Sequence, residues 1–286
     1  MRVSVIIPHY NDLALLDVCL GALERQTFPA DQREIIVADN ASPQGAEAVA
    51  KVIANRARLV VVPQKGAGPA RNGGVAVSRG EILAFTDSDC LPDGDWLSQG
   101  VGALSRYDFV GGRVDVLVAD PQRMTPVEAF ESVFAFDMKR YVLEKGFAGA
   151  GNLFCPRRIF DAVGGFGVGV SEDVEWSHRA TKMGFRLGYE ARAAVGHPAR
   201  RNWAELKRKW IRINAESYSL NLSKGKGRLF WVLKTLALPA SALVHTVRVF
   251  RSDRLPGFRQ RAAATGILYR LRFWRMVDSF RLLIEG

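Results

Sequence analysis

Two apolar stretches near the start of the chain decide the fold: Val3-Ser4-Val5-Ile6-Ile7-Pro8-His9 and Glu34-Ile35-Ile36-Val37-Ala38-Asp39. Each is short, rich in Val and Ile, and followed by polar residues, which is typical of a buried strand. Leu13–Arg25, between them, has the length and the apolar spacing of a helix. A strand, a helix and a second strand in this order predict the beginning of a parallel α/β sheet.

The same alternation continues along the chain. Leu59–Val62 and Glu81–Phe85 are two further strand candidates, and Gln44–Asn55 and Pro69–Arg79 have helical patterns. Ligands of such sheets bind beyond the carboxyl ends of the strands. We therefore expect the functional residues directly after the four strands.

Composition indicates a globular protein. The chain has 286 residues, of which 48% are hydrophobic and 24% are charged, so it can bury a sizeable core and is not a disordered chain. Its three cysteines are odd in number and lack a CxxC pair, which argues against a disulfide scaffold and favours a reducing compartment. The first residues lack the long apolar region of a secretory signal, so we expect a first strand there.

Charge is distributed unevenly along the chain. Residues 1–198 contain 21 Lys and Arg against 24 Asp and Glu, a net charge of −3, whereas residues 199–286 contain 19 against 5, a net charge of +14. The split predicts a nearly neutral globular body and a basic element that meets an anionic partner, either nucleic acid or acidic lipid headgroups.

Carboxylates follow two of the predicted strands. Asp87 and Asp89 come directly after the fourth strand, and they repel each other unless a cation lies between them. Mg²⁺ or Mn²⁺, held by carboxylates and substrate phosphates, would meet that need; the alternative is that both residues cap a turn. Asp39, after the second strand, is suited to accept hydrogen bonds from a base or a sugar, or it forms an Asx turn.

A glycine-rich segment follows the third strand. Residues 64–74 combine flexible backbone, Lys65, Arg71 and a helix start, which together suit phosphate. Arg71 stands where GxGxxG requires its third glycine, and the chain contains no GxxxxGK[ST]. A Rossmann dehydrogenase and a P-loop enzyme are therefore disfavoured.

In this order the motifs resemble those of the inverting family 2 glycosyltransferases, non-processive and of the bacterial-polysaccharide type, whose catalytic domain has the GT-A fold. The resemblance covers most of residues 1–198. It implies an α/β fold with a mainly parallel central sheet flanked by helices, a nucleotide-sugar half over about 1–110 and an acceptor half over about 111–198. Residues 199–286 would add C-terminal amphipathic helices.

The resemblance also implies roles for individual residues. The donor-binding residues would be Pro8, Tyr10, Asn11, Asp39, Lys65, Arg71, Asp87 and Ser88. Mn²⁺ or Mg²⁺ would be held by Asp89, with His197, after the predicted strand Ala191–Gly196, as a further ligand. A purely structural role is the alternative for His197, and His9 receives no functional role from the sequence.

The acceptor side is implied by two later motifs. Asn152, in Gly149-Ala150-Gly151-Asn152, and Glu172 would line the acceptor cleft, although glycines that merely serve turns are an alternative for the first motif. Asp173 would be the general base that deprotonates the acceptor hydroxyl. If Ser171 caps the helix, both acids lie in its first turn, and we expect this position to keep the pKa of Asp173 low.

The basic region has an amphipathic helical pattern from Asn202 onward. Leu229–Val244 is the most apolar stretch, but Lys234 and Pro239 interrupt it, so it falls short of the roughly 20 apolar residues of a spanning helix. The arginines of residues 270–281 alternate with aromatic and aliphatic residues, as in interfacial helices. We expect peripheral binding to the anionic inner face of the cell membrane from the cytoplasm; helices packed on the body are the alternative, and no nucleic acid is expected.

The expected function is the transfer of one sugar from a nucleotide-diphosphate sugar, most often a UDP-sugar in this family, to a lipid-linked or saccharide acceptor. The family's processive motif Gln-x-x-Arg-Trp is absent, which favours one sugar per acceptor. A sugar nucleotidyltransferase is disfavoured, because Pro8–Asn11 occupies the place of its glycine-rich loop. The remaining alternative is a non-enzymatic membrane-docked scaffold or nucleic-acid-binding protein that retains the fold.

Overall fold

A parallel four-stranded sheet forms from the first third of the chain. The computed structural model describes residues 2–223, 225 and 227–285, with strands β1 (Val3–His9), β2 (Arg33–Asp39), β3 (Arg58–Val61) and β4 (Ile82–Thr86). They pair in parallel in the order β3-β2-β1-β4. The register sets His9 beside Asp39, so the carboxyl ends of β1 and β2 lie level.

Helices connect these strands at the predicted places. They are α1 (Leu13–Glu24), α2 (Gly45–Ile53) and α3 (Ala67–Val77), and a 3₁₀ turn, Ala30–Gln32, precedes β2. Asp12 begins α1 by accepting the Leu15 backbone N–H at 3.1 Å, which satisfies a donor that the first helical turn leaves free. The strand and helix positions predicted for residues 1–86 are confirmed.

The second half of the sheet is mostly antiparallel. Strands β5 (Leu91–Pro92), β6 (Phe109–Leu117), β7 (Asn152–Pro156) and β8 (Leu187–Pro198) complete an eight-stranded sheet of order β3-β2-β1-β4-β7-β6-β8-β5. Strand β7 pairs antiparallel with β4 and β6, and β5 pairs antiparallel with β8. The predicted α/β class is confirmed, with the parallel pairs concentrated in the nucleotide-side half.

The remaining helices occupy the middle and the end of the chain. They are α4 (Trp96–Ala103), α5 (Pro126–Phe134), α6 (Met138–Lys145), α7 (Arg157–Val163), α8 (Glu172–Lys182), α9 (Trp203–Ser223), α10 (Arg228–Phe250) and α11 (Phe258–Glu285).

The chain divides into two compact units. The first comprises residues 1–115, 137–168 and 172–197, and the second comprises residues 116–136, 169–171 and 198–286. Residues 116–136, which the sequence places in the acceptor half, group with the C-terminal helices. The predicted boundary at 198 stays a prediction, and four residues of the two predicted domains, Met1, Lys224, Lys226 and Gly286, lie outside the described residues.

Aromatic rings form the core of the first unit beside the sheet. Phe85 of β4 packs against Phe160 and Phe166, with ring centroids 5.7 and 5.3 Å apart. Trp176 of α8 is fully buried on the same cluster. These rings join β4 to α7 and α8. They therefore hold in place the end of β4 and the start of α8, where the acidic residues lie.

The second unit has its own apolar core. Phe130 of α5, Leu206 of α9, Ala242 of α10 and Leu268 of α11 are buried together. Thr125 and Glu128 form a reciprocal capping box at the start of α5, a pairing that satisfies two backbone donors of the first turn. The unit is therefore a helical assembly built from four helices.

Helix α10 contains the two residues that we expected to interrupt its apolar run. It is 23 residues long and continues past Lys234 and Pro239, because a proline removes only one backbone hydrogen bond of a helix whose other bonds persist. Among the described residues it is the one helix that is long and apolar enough to cross a membrane, judged by length and composition. The expectation that this segment is too short to span is corrected to that extent.

Candidate active site at the carboxyl ends of the parallel strands

Asp39 is buried at the end of β2, with 1% of its surface exposed. Its Oδ1 accepts hydrogen bonds from His9 Nδ1 at 2.8 Å and from the Ser42 hydroxyl. Its Oδ2 accepts the Ser42 backbone N–H at 3.0 Å. Burial alone would raise the pKa of Asp39, but these hydrogen bonds outweigh it and hold the pKa below its ordinary value. Asp39 is therefore an ionised, fixed carboxylate.

His9 orients this carboxylate. The Asp12 backbone N–H donates to His9 Nε2 at 3.3 Å, so the hydrogen-bond network assigns the ring proton to Nδ1, which faces Asp39. His9 is 1% exposed. The sequence assigns no role to His9, and the structure corrects this: the ring supports Asp39, a positioning that follows from the β1–β2 register alone.

A cationic and aromatic surface lies beside this cluster. Lys65 Nζ donates to the backbone oxygens of Asn40 and Ala41 at 3.0 and 3.2 Å, and it lies 4.8 Å from the centroid of the Tyr10 ring. Tyr10 is 55% exposed, so one face of an aromatic ring is available to a ligand next to a positive charge. Asn11 and Ala41, in the two flanking loops, have left-handed backbone with φ of 62° and 52°.

Asn40 connects the loops after β2 and β3. Its Nδ2 donates to the backbone oxygens of Val62 and Gln64 at 2.9 and 2.7 Å, and its Oδ1 accepts the Gly66 N–H at 2.8 Å. These three bonds hold the glycine-rich segment in place. Asn40 was not among the predicted site residues, although an Asn directly after a strand is a recognisable loop-bridging residue.

Arg71 links the two acidic motifs. Its guanidinium donates to Asp87 Oδ1 at 2.6 Å and to Glu172 Oε1 at 2.7 Å, and it lies over the Phe166 ring. Only 4% of Arg71 is exposed. Burial would lower its pKa, but the charges of Asp87 and Glu172 raise it above its ordinary value, so the cation is permanent. The predicted donor residue Arg71 thus forms the centre of the acidic cluster.

The donor atoms after β4 fit a hard divalent cation. Asp87, Asp89 and Cys90 place ligand atoms within 4.8 Å of one another. Burial, and then the charges of Asp87 and Asp89, raise the pKa of the Cys90 thiol well above its ordinary value, and a hard cation prefers oxygen to sulfur ligands. His197 Nε2 lies 3.1 Å from Asp89 Oδ2. Two carboxylates with one imidazole remain, an oxygen-rich set that suits Mg²⁺ or Mn²⁺.

Asp173 lies in the first turn of α8. Its Oδ1 accepts the Val174 backbone N–H at 2.8 Å. Burial, and then the adjacent charge of Glu172, raise the pKa of Asp173 to about 6, against the opposing effects of Arg71 and of backbone N–H groups. The expectation that the helix start keeps this pKa low is wrong, because desolvation and Glu172 outweigh the helix terminus.

Two glycines give the acidic side chains room. A Cβ on Gly151 would lie 2.8 Å from Asp87 Oδ2, and a Cβ on Gly149 would lie 3.7 Å from Asp173 Oδ2 and 2.8 Å from the Met138 side chain. Gly151 therefore lets the loop before β7 approach Asp87, whereas the side chain that leaves no room for a Cβ at Gly149 is that of Met138. Asp87 thus lies beside Gly151 and Asp173 beside Gly149, so one short loop contacts both acids.

Asn152 has a structural position. It is 1% exposed, its Oδ1 accepts from Trp96 Nε1, and its Nδ2 donates to the backbone oxygens of Arg113 and Ala193. With both ends of the amide engaged inside the protein, Asn152 ties β7 to β6 and β8. We correct the predicted acceptor contact accordingly: this residue supports the loop before it.

The other predicted residues lie where the sequence analysis expects them, at the strand ends. Pro8 is half-buried in β1, Asn11 is exposed with its backbone N–H donating to Ser42 Oγ at 3.0 Å, and Ser88 is half-buried between the two aspartates. Their contacts with a donor stay predictions.

The sheet and the acidic cluster at the carboxyl ends of its strands define the class of protein. The structure is similar to that of the mannosyltransferase PcManGT from Pyrobaculum calidifontis, solved in complex with GDP-Man and Mn²⁺, with a TM-score of 0.60 at 20% identity over 97% of this chain and 85% of that one. This likeness identifies the GT-A fold of glycosyltransferases.

Sequence comparison gives the family. Residues 4–172 match the model described as glycosyl transferase family 2. The glycosyltransferase AglE of Haloferax volcanii is 34% identical over 245 residues, which cover 82% of this chain and 76% of that protein. The poly(ribitol-phosphate) beta-glucosyltransferase of Bacillus spizizenii is 33% identical over 94 residues, 31% of this chain and 15% of that protein. The chain belongs to glycosyltransferase family 2, and its predicted enzyme class is confirmed.

Proposed function

We propose that the protein transfers one sugar from a nucleoside-diphosphate sugar to an acceptor hydroxyl, with inversion, and that Asp173 is the general base. The observation that carries this proposal is the bridge made by Arg71 between Asp87 and Glu172. It joins the strand-end aspartates to the start of α8, so that a donor diphosphate and an acceptor hydroxyl would meet across one network.

The donor would bind along the carboxyl ends of β1, β2 and β4. The exposed Tyr10 ring beside Lys65 suits stacking of a nucleobase next to a cation. Asp39 Oδ2 accepts one hydrogen bond from the described part of the chain, so this oxygen can accept another from a base or a ribose. UDP is our proposed nucleotide, and Pro8, Asn11 and Ser88 would line the same edge.

The metal would be held by Asp89, with Asp87 and His197 beside it. Mn²⁺ or Mg²⁺ bound there supplies positive charge to the departing diphosphate. Asp87 is already hydrogen-bonded to Arg71, so the guanidinium would balance part of the carboxylate charge and face the same phosphates.

Asp173 would take the proton of the acceptor hydroxyl. The electron pair left on the acceptor oxygen then forms the new bond to the anomeric carbon. At the same time the bond from that carbon to the diphosphate oxygen breaks, and its electron pair leaves with the nucleoside diphosphate. A carboxylate with a pKa of about 6 is ionised at neutral pH and is a stronger base than an ordinary aspartate. Glu172, held by Arg71, would lie beside it and line the acceptor side.

The acceptor would be lipid-linked or a saccharide, reached at the inner face of a cell membrane. The second unit supports this proposal with its positive charge and with α10, whose exposed large apolar residues are Leu229, Phe230, Leu233, Leu236, Leu243, Val244, Val247 and Phe250. An anionic bilayer attracts basic residues at about 1 kcal/mol each near its surface.

A donor screen tests the proposal. Purified protein with Mn²⁺ is incubated with a panel of UDP-, GDP- and TDP-sugars, and release of the nucleoside diphosphate is measured with and without lipid extract. Release from one donor, lost in Asp173→Asn and kept in the exposed control Asp161→Asn, supports the proposal. Donor binding without release from any sugar, under all conditions, would contradict it and favour a scaffold that retains the fold.

A further inference from the structure

Two arginines of α11 are removed from solvent in the helical second unit, Arg275 buried and Arg272 half-buried. Arg272 and Arg275 are one turn apart, and Arg275 is 8% exposed. The guanidinium carbon of Arg275 lies 4.1 Å from the centroid of the Trp210 ring on α9. Arg275 and Trp210 thus bring hydrogen-bond donors together between two helices, and Arg272 lies close enough to Arg275 for the two charges to interact.

One N–H donor in each of these three side chains has no hydrogen-bond partner within the described part of the chain. Arg272 Nε, Arg275 Nε and Trp210 Nε1 are buried and make no hydrogen bond. Asp278 is one turn away, but Asn214 donates to its Oδ2 at 2.9 Å and Arg281 donates to its Oδ1 at 3.0 Å. Within the described residues, no carboxylate forms an ion pair with Arg272 or Arg275.

This arrangement is unfavourable for the ligand-free protein. Burial, and then the charge of Arg272, lower the pKa of Arg275 to about 9. Burial also lowers the pKa of Arg272. The charge of Asp278 opposes this effect on Arg275, but Asp278 forms its ion pair with Arg281. Two like charges therefore lie close together in a partly desolvated place, and neither has an ion-pair partner among the described residues. An apolar side chain would pack there without that cost.

We propose that Arg272, Arg275 and the Trp210 indole N–H form a binding site for a phosphoryl group. Guanidinium groups match phosphate oxygens with paired, charge-assisted hydrogen bonds, and the indole is a pure donor. An anion would both neutralise the two cations and satisfy the three orphaned donors. Inorganic phosphate and the phosphate of a lipid headgroup share this chemistry. The site lies in the second unit and does not depend on the proposed sugar transfer.

The test uses the full-length protein and two matched double variants. Arg272→Gln/Arg275→Gln removes the site, and Arg259→Gln/Arg270→Gln removes the same charge from exposed positions of the same helix. Calorimetric titration with inorganic phosphate, and sedimentation with phosphatidylcholine vesicles with or without phosphatidic acid, are measured for each. Arg275→Lys keeps the positive charge but loses the paired guanidinium donors. It therefore tests the site even if the double glutamine variant fails to fold.

For the wild type we expect saturable binding, weakened about tenfold or more in the site variant and in Arg275→Lys, and unchanged in the control pair. The site variant should melt no lower than wild type in phosphate-free buffer. Loss of inorganic phosphate binding identifies free phosphate as a ligand, and loss confined to phosphatidic acid vesicles identifies a lipid headgroup. Equal phosphate and vesicle binding by both double variants would overturn the proposal.

Discussion

The Arg71 guanidinium lies 2.6 Å from Asp87 Oδ1, so the glycine-rich segment after β3 is bonded directly to the first aspartate after β4. A second hydrogen bond, 2.7 Å long, runs from the same guanidinium to Glu172 at the start of α8. One buried side chain therefore sets the distance between the end of β4, where the donor would bind, and the start of α8, where the acceptor would bind.

Replacing Arg71 should destabilise both places that it joins, the end of β4 and the start of α8. Arg71→Met leaves Asp87 and Glu172 facing each other without a counter-charge, and loss of two charged hydrogen bonds is expected to lower the free energy of unfolding by about 2 kcal/mol or more. Urea denaturation measures this loss. Arg71→Lys should retain part of the stability. A methionine variant as stable as wild type would show that the bridge is not maintained in solution.

Asp173→Asn should separate binding from chemistry. The amide cannot accept the acceptor proton, so transfer is expected to fall about 10²–10⁴-fold, the usual contribution of a general base. Affinity for donor and metal should stay close to wild type, since Asp173 does not belong to the Asp87–Asp89 cluster. Initial rates and calorimetry on the same preparation, with Asp161→Asn alongside, check both values. An equal loss of donor affinity would refute the assigned role.

The pH dependence follows from the raised pKa of Asp173. As a base the residue must be ionised, so kcat should rise with pH through about 6. The effect on stability has the opposite sign: the folded pKa exceeds the roughly 3.9 of an unfolded aspartate, so its stabilising contribution is complete below about pH 4 and is lost as pH rises through 6. Asp173→Asn should therefore be more stable than wild type at pH 7 and equal to it at pH 4. Equal stability at both pH values would contradict the raised pKa.

Local pattern was sufficient to predict the sheet and the strand-end acids. Val and Ile runs with intervening helical periods predicted β1 to β4, and the rule for ligand positions in such sheets led to Asp39, Asp87 and Asp89. These features depend on residues that are neighbours in sequence, where periodicity is strongest.

Contacts between distant residues were not predictable in the same way. The β1–β2 register that buries His9 against Asp39 depends on a pair 30 positions apart. The raised pKa of Asp173 depends first on its burial, which the sequence around it does not show. Asn152 was misassigned because its amide partners come from β6 and β8 and from Trp96. Helix α10 was underestimated because Lys234 and Pro239 were taken to leave its apolar run too short for a spanning helix.

Membrane binding should combine charge and apolar contact. Wild-type protein is expected to sediment with vesicles that contain acidic lipid and to be only partly released by high salt, because salt screens charge but not apolar insertion. Leu233→Gln/Leu236→Gln should become fully salt-reversible, while Leu143→Gln/Val168→Gln, equally exposed in the first unit, should not change. Protein that ignores acidic and neutral vesicles alike would leave the lipid-linked acceptor without support.

Titration of nucleoside diphosphates in the presence of Mn²⁺ tests the central claim most directly, because it asks whether the carboxylates after β2 and β4 form a donor site. Wild type should bind UDP, or another common nucleoside diphosphate, with one site per chain and only when Mn²⁺ or Mg²⁺ is present. Asp89→Ala should abolish that metal-dependent binding, and Asp161→Asn should leave it intact. If wild type binds none of the common nucleoside diphosphates with metal, or if Asp89→Ala binds as wild type does, the proposed active site is wrong.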